Sequence, residues 1–256
     1  MAQFDSTEVS AQGNQACPGT EAAFTCSSQL GLSKRRKFLE MAVGGAAGFV
    51  GAAGMGLLAP DSALGQTTLT PEMALAELVA GNKRFVNGKL TSFQQNLAIL
   101  RNHTSEKQQP FAAVLACADS RVPVELIFDQ TIGQIFVTRD AGNVTTAEII
   151  ASLEYGAAVL GVKVILVMGH GSCGAVEAAL AGKEVPGQIS ALFPHIQPAI
   201  DLAGPDLEST TQANAKLQAS LLRQGSTTIS ALVKDSKLLV ISAYYNIASG
   251  VVSLLE

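Results

Sequence analysis

The sequence predicts an α/β protein with a central, mostly parallel β-sheet flanked by helices, and two patterns support this class. Short apolar, partly β-branched segments at 111–116, 135–138, 163–168 and 238–245 have the length and composition of buried strands. Segments with apolar residues at helical spacing lie between them. Because strand and helix patterns alternate along the chain, we expect the first three strands to lie parallel in one sheet.

The sequence predicts five helices outside the first 65 residues. Thr70 and Pro71 form an N-cap and first-turn pair that begins an amphipathic helix. Further helices are predicted at 122–128, 146–160, 174–180 and 188–203. Prolines interrupt the last of these patterns. The segment 204–225 is polar and is interpreted as surface, and the strand at 238–245 is expected at a sheet edge.

The first 65 residues have a different composition and are predicted to form a segment separate from a folded domain at 66–256. A basic segment at 33–37 precedes an uncharged run at 41–59 that is rich in glycine and alanine. This order is typical of a targeting signal, although a true membrane helix with a basic flank has a similar pattern.

The paired arginines Arg35 and Arg36, followed by Phe-Leu, resemble the twin-arginine export signal. Lys34 and Glu40 depart from its usual pattern. A small-x-small site predicts cleavage before Gln66. The resemblance implies transport by the twin-arginine machinery to the periplasm or cell envelope, with a membrane tether if the signal is retained.

Charge and cysteine content limit the possible functions. The net charge of −4 provides no basic surface for nucleic acid. Of the four cysteines, Cys17 and Cys26 lie in the predicted leader, which leaves Cys117 and Cys173 in the domain. We therefore expect no structural disulfide in the domain and two thiols available to a metal.

Two short motifs carry the predicted chemistry, CADSR at 117–121 and HGSCG at 170–174. Each follows a predicted strand. Ligands of open α/β sheets bind at the carboxyl ends of the strands, so we expect the two motifs to meet there.

Cys117, His170 and Cys173 offer two thiolates and one imidazole, a ligand set that suits a catalytic zinc with its fourth position open to water or substrate. In the alternative interpretation, the cysteines are buried small apolar residues and the histidine is part of a turn. That interpretation leaves Asp119 and Arg121 without a role.

CADSRVP at 117–123, together with GHGSCGAV at 169–176, is similar to the paired signatures of the β-class carbonic anhydrases. The resemblance covers 69–256 and includes further segments at 81–88, 136–143, 152–162 and 237–252. It implies reversible hydration of carbon dioxide to bicarbonate and a proton, with one zinc ion per subunit. It also implies a homodimer or higher homo-oligomer, with an N-terminal helical arm that packs on the partner subunit.

The resemblance also implies the role of each site residue. Cys117, His170 and Cys173 hold the zinc, and zinc-bound hydroxide attacks carbon dioxide. Asp119 accepts a hydrogen bond from the hydroxide and orients it, while Arg121 holds Asp119 ionised through a charge-assisted pair.

The resemblance to plant-type relatives also implies which residues line the substrate pocket. Gln108, Phe136 and Tyr155 match positions that line the pocket in those proteins, some of them across the dimer interface, and Gly174 is predicted to contact substrate as well. Ordinary core packing is an alternative role for Phe136 and Tyr155, and it is compatible with a position at the pocket. Ala141 replaces a larger aliphatic residue, which predicts a wider cavity.

A bicarbonate switch is not expected. In the allosteric subgroup of the family, a tryptophan three residues before the first cysteine ligand helps to hold a non-catalytic bicarbonate, and that position is Val114 here. The chain contains no tryptophan, although Arg139 matches the arginine of that clamp. The resemblance therefore predicts an open, plant-type site.

Three other functions fit parts of the sequence. Ser172 follows a strand as a serine nucleophile does, but His170 occupies the position where that motif requires glycine. A non-catalytic zinc or bicarbonate-binding module would need a fourth protein ligand, and His103 and His195 lie outside the motifs. Relatives that hydrolyse carbon disulfide or carbonyl sulfide carry the same zinc ligands, so this substrate class stays open.

Overall fold

A five-stranded sheet forms the centre of the protein, and its strand order is β2-β1-β3-β4-β5. The computed structural model describes residues 67–92 and 107–255. The strands are β1 (Ala112–Cys117), β2 (Ile135–Asp140), β3 (Val164–His170), β4 (Leu239–Tyr245) and β5 (Val252–Leu255). The helices are α1 (Pro71–Val86), α2 (Val124–Ile127), α3 (Ala147–Glu154), α4 (Gly174–Ala181), α5 (Phe193–Ala203), α6 (Leu207–Gly225) and α7 (Thr227–Lys234).

Strands β1 to β4 are parallel, which confirms the predicted class of sheet. In the register of the central strands, Ala112 of β1 lies opposite Ile135 of β2 and Val164 of β3. Every residue of β1 and β3 is buried. This burial explains their nearly continuous apolar sequences, since helices cover both faces of the sheet.

The expected edge position of the strand at 238–245 is wrong. β4 pairs with β3 on one side and with the antiparallel β5 on the other, so β5 takes the edge. A tight turn closes this hairpin, with hydrogen bonds from Asn246 N to Val251 O and from Gly250 N to Asn246 O. An antiparallel partner needs only such a short turn, whereas a parallel partner needs a longer crossover connection.

Two apolar clusters hold the helices on opposite faces of the sheet. Helices α1 and α2 pack on one face, where Leu78 and Ile127 belong to the same cluster as Val114. Helices α3, α6 and α7 pack on the other, where Leu153 and Leu222 belong to the second cluster. The predicted flanking helices are therefore confirmed.

Several predicted helix limits are also confirmed. The Thr70 side chain accepts a hydrogen bond from Met73 N at the start of α1, as the Thr-Pro pair predicts. The pattern at 146–160 is divided into α3 and a π-helical turn, Tyr155–Val159. A 3₁₀ turn, Ile189–Leu192, precedes α5, which accommodates one proline in its first turn and another in its interior.

The interpretation of 204–225 as plain surface is wrong. These residues include α6, which packs on β3 and β4. Its inner face carries four buried polar side chains: Thr210, Thr211, Asn214 and Gln218. The prediction failed because a polar composition normally indicates exposure, whereas here hydrogen bonds compensate the burial.

The predicted export signal at 1–65, its cleavage site before Gln66, and His103 all lie outside the described residues. Among the residues that the structure does describe, no helix combines the length and apolar character needed to cross a membrane.

Candidate metal centre

The predicted ligands meet at the carboxyl edge of the sheet. Cys117 ends β1, His170 ends the neighbouring strand β3, and Cys173 is the N-cap of α4. Their ligand atoms all lie within 4.8 Å of one another, and all three side chains are buried. Two sulfur ligands of a tetrahedral zinc site are about 3.8 Å apart when each Zn–S bond is about 2.3 Å. The Sγ atoms of Cys117 and Cys173 are 4.0 Å apart, which fits such a site.

The imidazole of His170 is oriented for metal binding. Its Nδ1 lies 2.9 Å from Gly171 O. A carbonyl oxygen only accepts hydrogen bonds, so Nδ1 carries the proton and Nε2 of the neutral ring keeps its lone pair. Nε2 is buried and has no hydrogen-bond partner among the described residues. A bound cation would satisfy this atom, as in metal sites where the second ring nitrogen donates to a carbonyl.

The two thiols form a coupled pair. The pKa of Cys117 is lowered, first because the Cys173 thiol donates to its sulfur and also because Gly142 N donates to it at 3.3 Å. The pKa of Cys173 is raised, because its proton is held by Cys117 and because it is buried. The protein alone therefore stabilises one thiolate well, and a divalent cation is needed to hold both. This donor set fits Zn²⁺.

Asp119 and Arg121 form a two-point ion pair beside the cluster. Asp119 Oδ1 accepts hydrogen bonds from Arg121 N at 2.9 Å and Nε at 3.0 Å, and Oδ2 accepts from Nη2 at 2.8 Å. These bonds hold the pKa of Asp119 well below its usual range. Asp119 Oδ2 lies 3.9 Å from His170 Nε2, so the carboxylate is next to the cluster. Arg121 Nη2 also donates to Ser172 O at 3.0 Å, which connects the two motifs.

Arg139 fixes the backbone of the first motif. Its Nε donates to Cys117 O at 2.9 Å, and its Nη2 donates to Asp119 O at 2.5 Å. The sequence matched this residue only to a bicarbonate clamp, and its bonds to two carbonyl oxygens were not predicted.

The loop after β2 was recognised as a similar segment, but no role was assigned to its Asp140 or Gly142. Asp140 Oδ1 accepts a hydrogen bond from Val144 N at 2.9 Å, which closes the loop. Burial, together with the negative charge of Cys117, raises the pKa of Asp140 to about 6. The sequence signal for the loop is an acidic residue at the end of a strand with a glycine two residues later. This is a common turn pattern, and it does not reveal that Gly142 N contacts Cys117 Sγ.

The predicted pocket residues divide into two groups. Gly174 directly follows Cys173 and is exposed at the start of α4. Gln108 is exposed and precedes β1, so it lies at the opposite end of a strand that is about 17 Å long. Phe136 pairs with Ala113, about 13 Å before Cys117 along the same strand.

Tyr155 accompanies Phe136 at a ring-centroid distance of 6.2 Å and is 46% exposed. Within one chain, the structure therefore brings Gly174 to the cluster, whereas Gln108 and Phe136 lie toward the far end of β1. Ala141 is partly buried in the loop after β2.

The geometry gives no support to the two alternatives that change the role of the histidines. His170 Nδ1 is bound to Gly171 O, and the buried Nε2 has no hydrogen bond to Ser172 or to any other described residue. His195 lies on α5, and within the described ranges the metal-type cluster contains only three side chains.

The fold and the cluster together define an α/β protein with a Cys-His-Cys metal site. Residues 112–252 match the sequence model of the family described as carbonic anhydrase. Carbonic anhydrase 2 of Mycobacterium tuberculosis is 34% identical over 188 residues, which cover 70% of this chain and 90% of the relative. The carbonic anhydrase of Mycolicibacterium smegmatis is 35% identical over 192 residues, covering 72% and 93%.

Solved structures share the fold. The β-carbonic anhydrase CafA of Aspergillus fumigatus has a TM-score of 0.59 at 23% identity, covering 71% of this chain and 90% of that protein. A tetrameric β-carbonic anhydrase of Sordaria macrospora has a TM-score of 0.57 at 23% identity, covering 71% and 96%. The chain belongs to the β-class carbonic anhydrases, enzymes that hydrate carbon dioxide. The predicted family is therefore confirmed.

Proposed function

We propose that Cys117, His170 and Cys173 hold one Zn²⁺ per chain, and that this site catalyses the reversible hydration of carbon dioxide to bicarbonate and a proton. The observation that carries the proposal is the buried three-donor cluster with the Asp119–Arg121 pair beside it. When bound, zinc acts as a Lewis acid that lowers the pKa of water to about 7 and makes it nucleophilic.

Asp119 orients the attacking water in this proposal. Two hydrogen bonds from Arg121 occupy Oδ1, while Oδ2, the oxygen nearer to His170, accepts only one from the part of the chain that the structure describes. A carboxylate oxygen has room for a second donor, so Oδ2 can accept a hydrogen bond from the water and direct its free lone pair toward carbon. Arg121 keeps the carboxylate ionised and in place.

We also infer an open, plant-type site without a bicarbonate switch. The Asp119 carboxylate is engaged by Arg121 on both oxygens, which favours a position beside the metal site. Arg139 directs its donors to two backbone carbonyls, and Val114 is fully buried in the core. Activity is then expected to be independent of added bicarbonate apart from product inhibition, and cooperative inactivation by bicarbonate would contradict this inference.

The substrate pocket is completed by a second copy of the chain in this proposal. Gln108 and Phe136 lie far along β1 from their own cluster, and Tyr155 is exposed beside Phe136, so a neighbouring subunit could receive all three. Homo-oligomers are expected in which these residues, and the N-terminal helical arm, contact the partner. The solved relatives from Sordaria macrospora, described as tetrameric, support an oligomer.

A charged substitution tests this interface. Tyr155→Glu should shift the sedimentation coefficient toward the monomer and reduce hydration, because a carboxylate would be buried in an apolar contact. Leu202→Glu changes a side chain on α5 that is 79% exposed and serves as the control. An unchanged oligomer in the Tyr155 variant would contradict the interface.

We further propose that residues 1–65 direct export through the twin-arginine machinery and that the enzyme at 66–256 acts in the periplasm or cell envelope. The basis is the Arg-Arg-Lys-Phe-Leu sequence before a glycine-rich apolar run. In a bacterial host with this machinery, an Arg35→Lys, Arg36→Lys double variant should stay in the cytoplasm. Lys37→Arg is the matched control. Continued export of the double variant would exclude this route.

Substrate choice is tested by offering carbon dioxide, carbonyl sulfide and carbon disulfide separately to the zinc-loaded, full-length chain. The proposal expects rapid hydration of carbon dioxide and much slower turnover of the sulfur compounds. Turnover of a sulfur compound without carbon dioxide hydration would replace the proposed substrate while keeping the zinc site.

A further inference from the structure

The inner face of α6 is unusual because four of its buried side chains are polar. Burying a polar side chain is unfavourable unless it forms hydrogen bonds. Two of the four, Asn214 and Gln218, carry amide groups and lie one helical turn apart on the same face. The hydrogen-bond partners of these two amides therefore identify the segment that this face of α6 holds in place.

Both side chains bind the loop that follows β2. Asn214 Nδ2 donates to Gly142 O at 2.9 Å. Gln218 Oε1 accepts from Thr145 N at 2.8 Å. Gln218 Nε2 donates to Asn214 Oδ1 and to His195 O, each at 3.0 Å, so the two amides support one another. Together with Thr145 Oγ1, which donates to Gln218 O, they attach the loop to α6 at both ends.

The same loop contacts a proposed metal ligand. Gly142 N donates to Cys117 Sγ at 3.3 Å. Gly142 has φ of +87°, a conformation that favours glycine, and a Cβ there would lie only 3.1 Å from Ile196 Cδ1. The loop thus adopts a conformation that brings the amide close to the sulfur, and Asn214 holds the carbonyl of the same residue.

We propose that Asn214 is a positioning residue of the metal site, which acts by holding the Gly142 amide against Cys117 Sγ. This inference rests on the proposed zinc function. An N–H···S hydrogen bond withdraws electron density from a thiolate and fixes its direction, and hydrogen bonds to ligand atoms tune both the affinity and the electronic character of a metal site. With two thiolate ligands, the Gly142 amide offsets part of their electron donation to the metal.

The test compares two variants of the full-length chain. Asn214→Leu keeps the branched shape but removes the hydrogen bonds to Gly142 and Gln218. Thr210→Val removes a different buried hydrogen bond of α6, from Thr210 Oγ1 to Gly204 O, and leaves the loop untouched. Zinc affinity is measured by competition with a chromophoric chelator. The sulfur-to-metal charge-transfer band is recorded after substitution with cobalt(II).

Asn214→Leu should lower zinc affinity by about 10-fold to 100-fold, as for other partners of metal ligands. Its cobalt charge-transfer band should move to longer wavelength, because a thiolate without the amide bond is easier to oxidise. Thr210→Val should leave both readouts at the wild-type values. A folded Asn214→Leu variant with wild-type affinity and an unshifted band would overturn the inference.

A second variant decides the question if Asn214→Leu fails to fold. Gln218→Met replaces the amide by an unbranched side chain of similar length, so the hydrogen bonds to Thr145 N and Asn214 Oδ1 are lost. Zinc affinity and the cobalt band should change in the same direction as in Asn214→Leu, by a smaller amount. Wild-type values in this variant would overturn the inference. If the wild-type chain itself binds no zinc, the proposed function fails as well, so the two failures are distinguishable.

Discussion

Replacing Asp119 by asparagine removes the hydrogen-bond acceptor that the proposed mechanism places beside the attacking water. The amide oxygen should occupy the position of Oδ1, because that atom accepts two hydrogen bonds from Arg121. The amide NH₂ group then takes the place of Oδ2. It points a donor toward the water, which needs an acceptor, and toward Arg121 Nη2, which is itself a donor.

The expected loss follows from this change of role. Removing one positioned hydrogen-bonding group at a reacting atom typically lowers a rate by about 100-fold to 1,000-fold. At about 1.36 kcal/mol per tenfold, this corresponds to about 2.7 to 4.1 kcal/mol of transition-state stabilisation. We expect the loss in kcat, whereas zinc content should be unchanged because the three ligand side chains are not altered.

Stopped-flow measurement of carbon dioxide hydration by the zinc-loaded, full-length variant tests this expectation. Asp235→Asn is the matched control, because it makes the same chemical change in an exposed ion pair with Lys237. The control should retain the wild-type rate. A fully zinc-loaded Asp119→Asn variant with kcat within about threefold of wild type would refute the assigned role.

Three further predictions concern stability. Arg121→Gln should lower the free energy of unfolding of the metal-free chain at pH 7. The difference should begin to shrink as the pH falls below about 4, the usual pKa of an unfolded Asp, and should be lost only as the pH falls through the depressed Asp119 pKa of the folded chain; an equal difference at pH 7 and pH 2 in urea unfolding would contradict this. Asp129→Asn should cost about 2 kcal/mol in urea unfolding at pH 7, because the fully buried Asp129 carboxylate accepts from Arg84 Nε at 2.6 Å; a cost as small as that of Asp235→Asn would contradict it. Removal of zinc by a chelator should lower the thermal unfolding midpoint, because the ion binds only the folded site; an unchanged midpoint would show that the ion does not bind there.

Much of the sheet was predictable because central parallel strands are continuously apolar and end at motifs. The segments before Cys117 and His170 show this pattern, and the carboxyl ends of neighbouring strands must meet at one edge. The metal cluster therefore followed from local sequence together with one general rule of topology.

The interior of α6 and the contacts of the loop after β2 could not be predicted in the same way. Asn214 bonds to Gly142 across 72 residues of sequence, and no local pattern reports such a pair. The sheet edge was assigned to β4 for a related reason, because β5 is only four residues long and half exposed and so has a weak strand pattern. Hydrogen bonds between segments far apart in sequence determine these features, whereas helix and strand propensity and hydrophobic periodicity depend only on residues close together in sequence.

Zinc titration into the metal-free, full-length chain, followed by carbon dioxide hydration near pH 8, tests the central claim most directly. The account predicts that activity rises in proportion to added zinc and stops rising at one ion per chain, since the described residues form one cluster of three ligands. Saturation of Cys117, His170 and Cys173 by one zinc ion without carbon dioxide hydration would contradict the account.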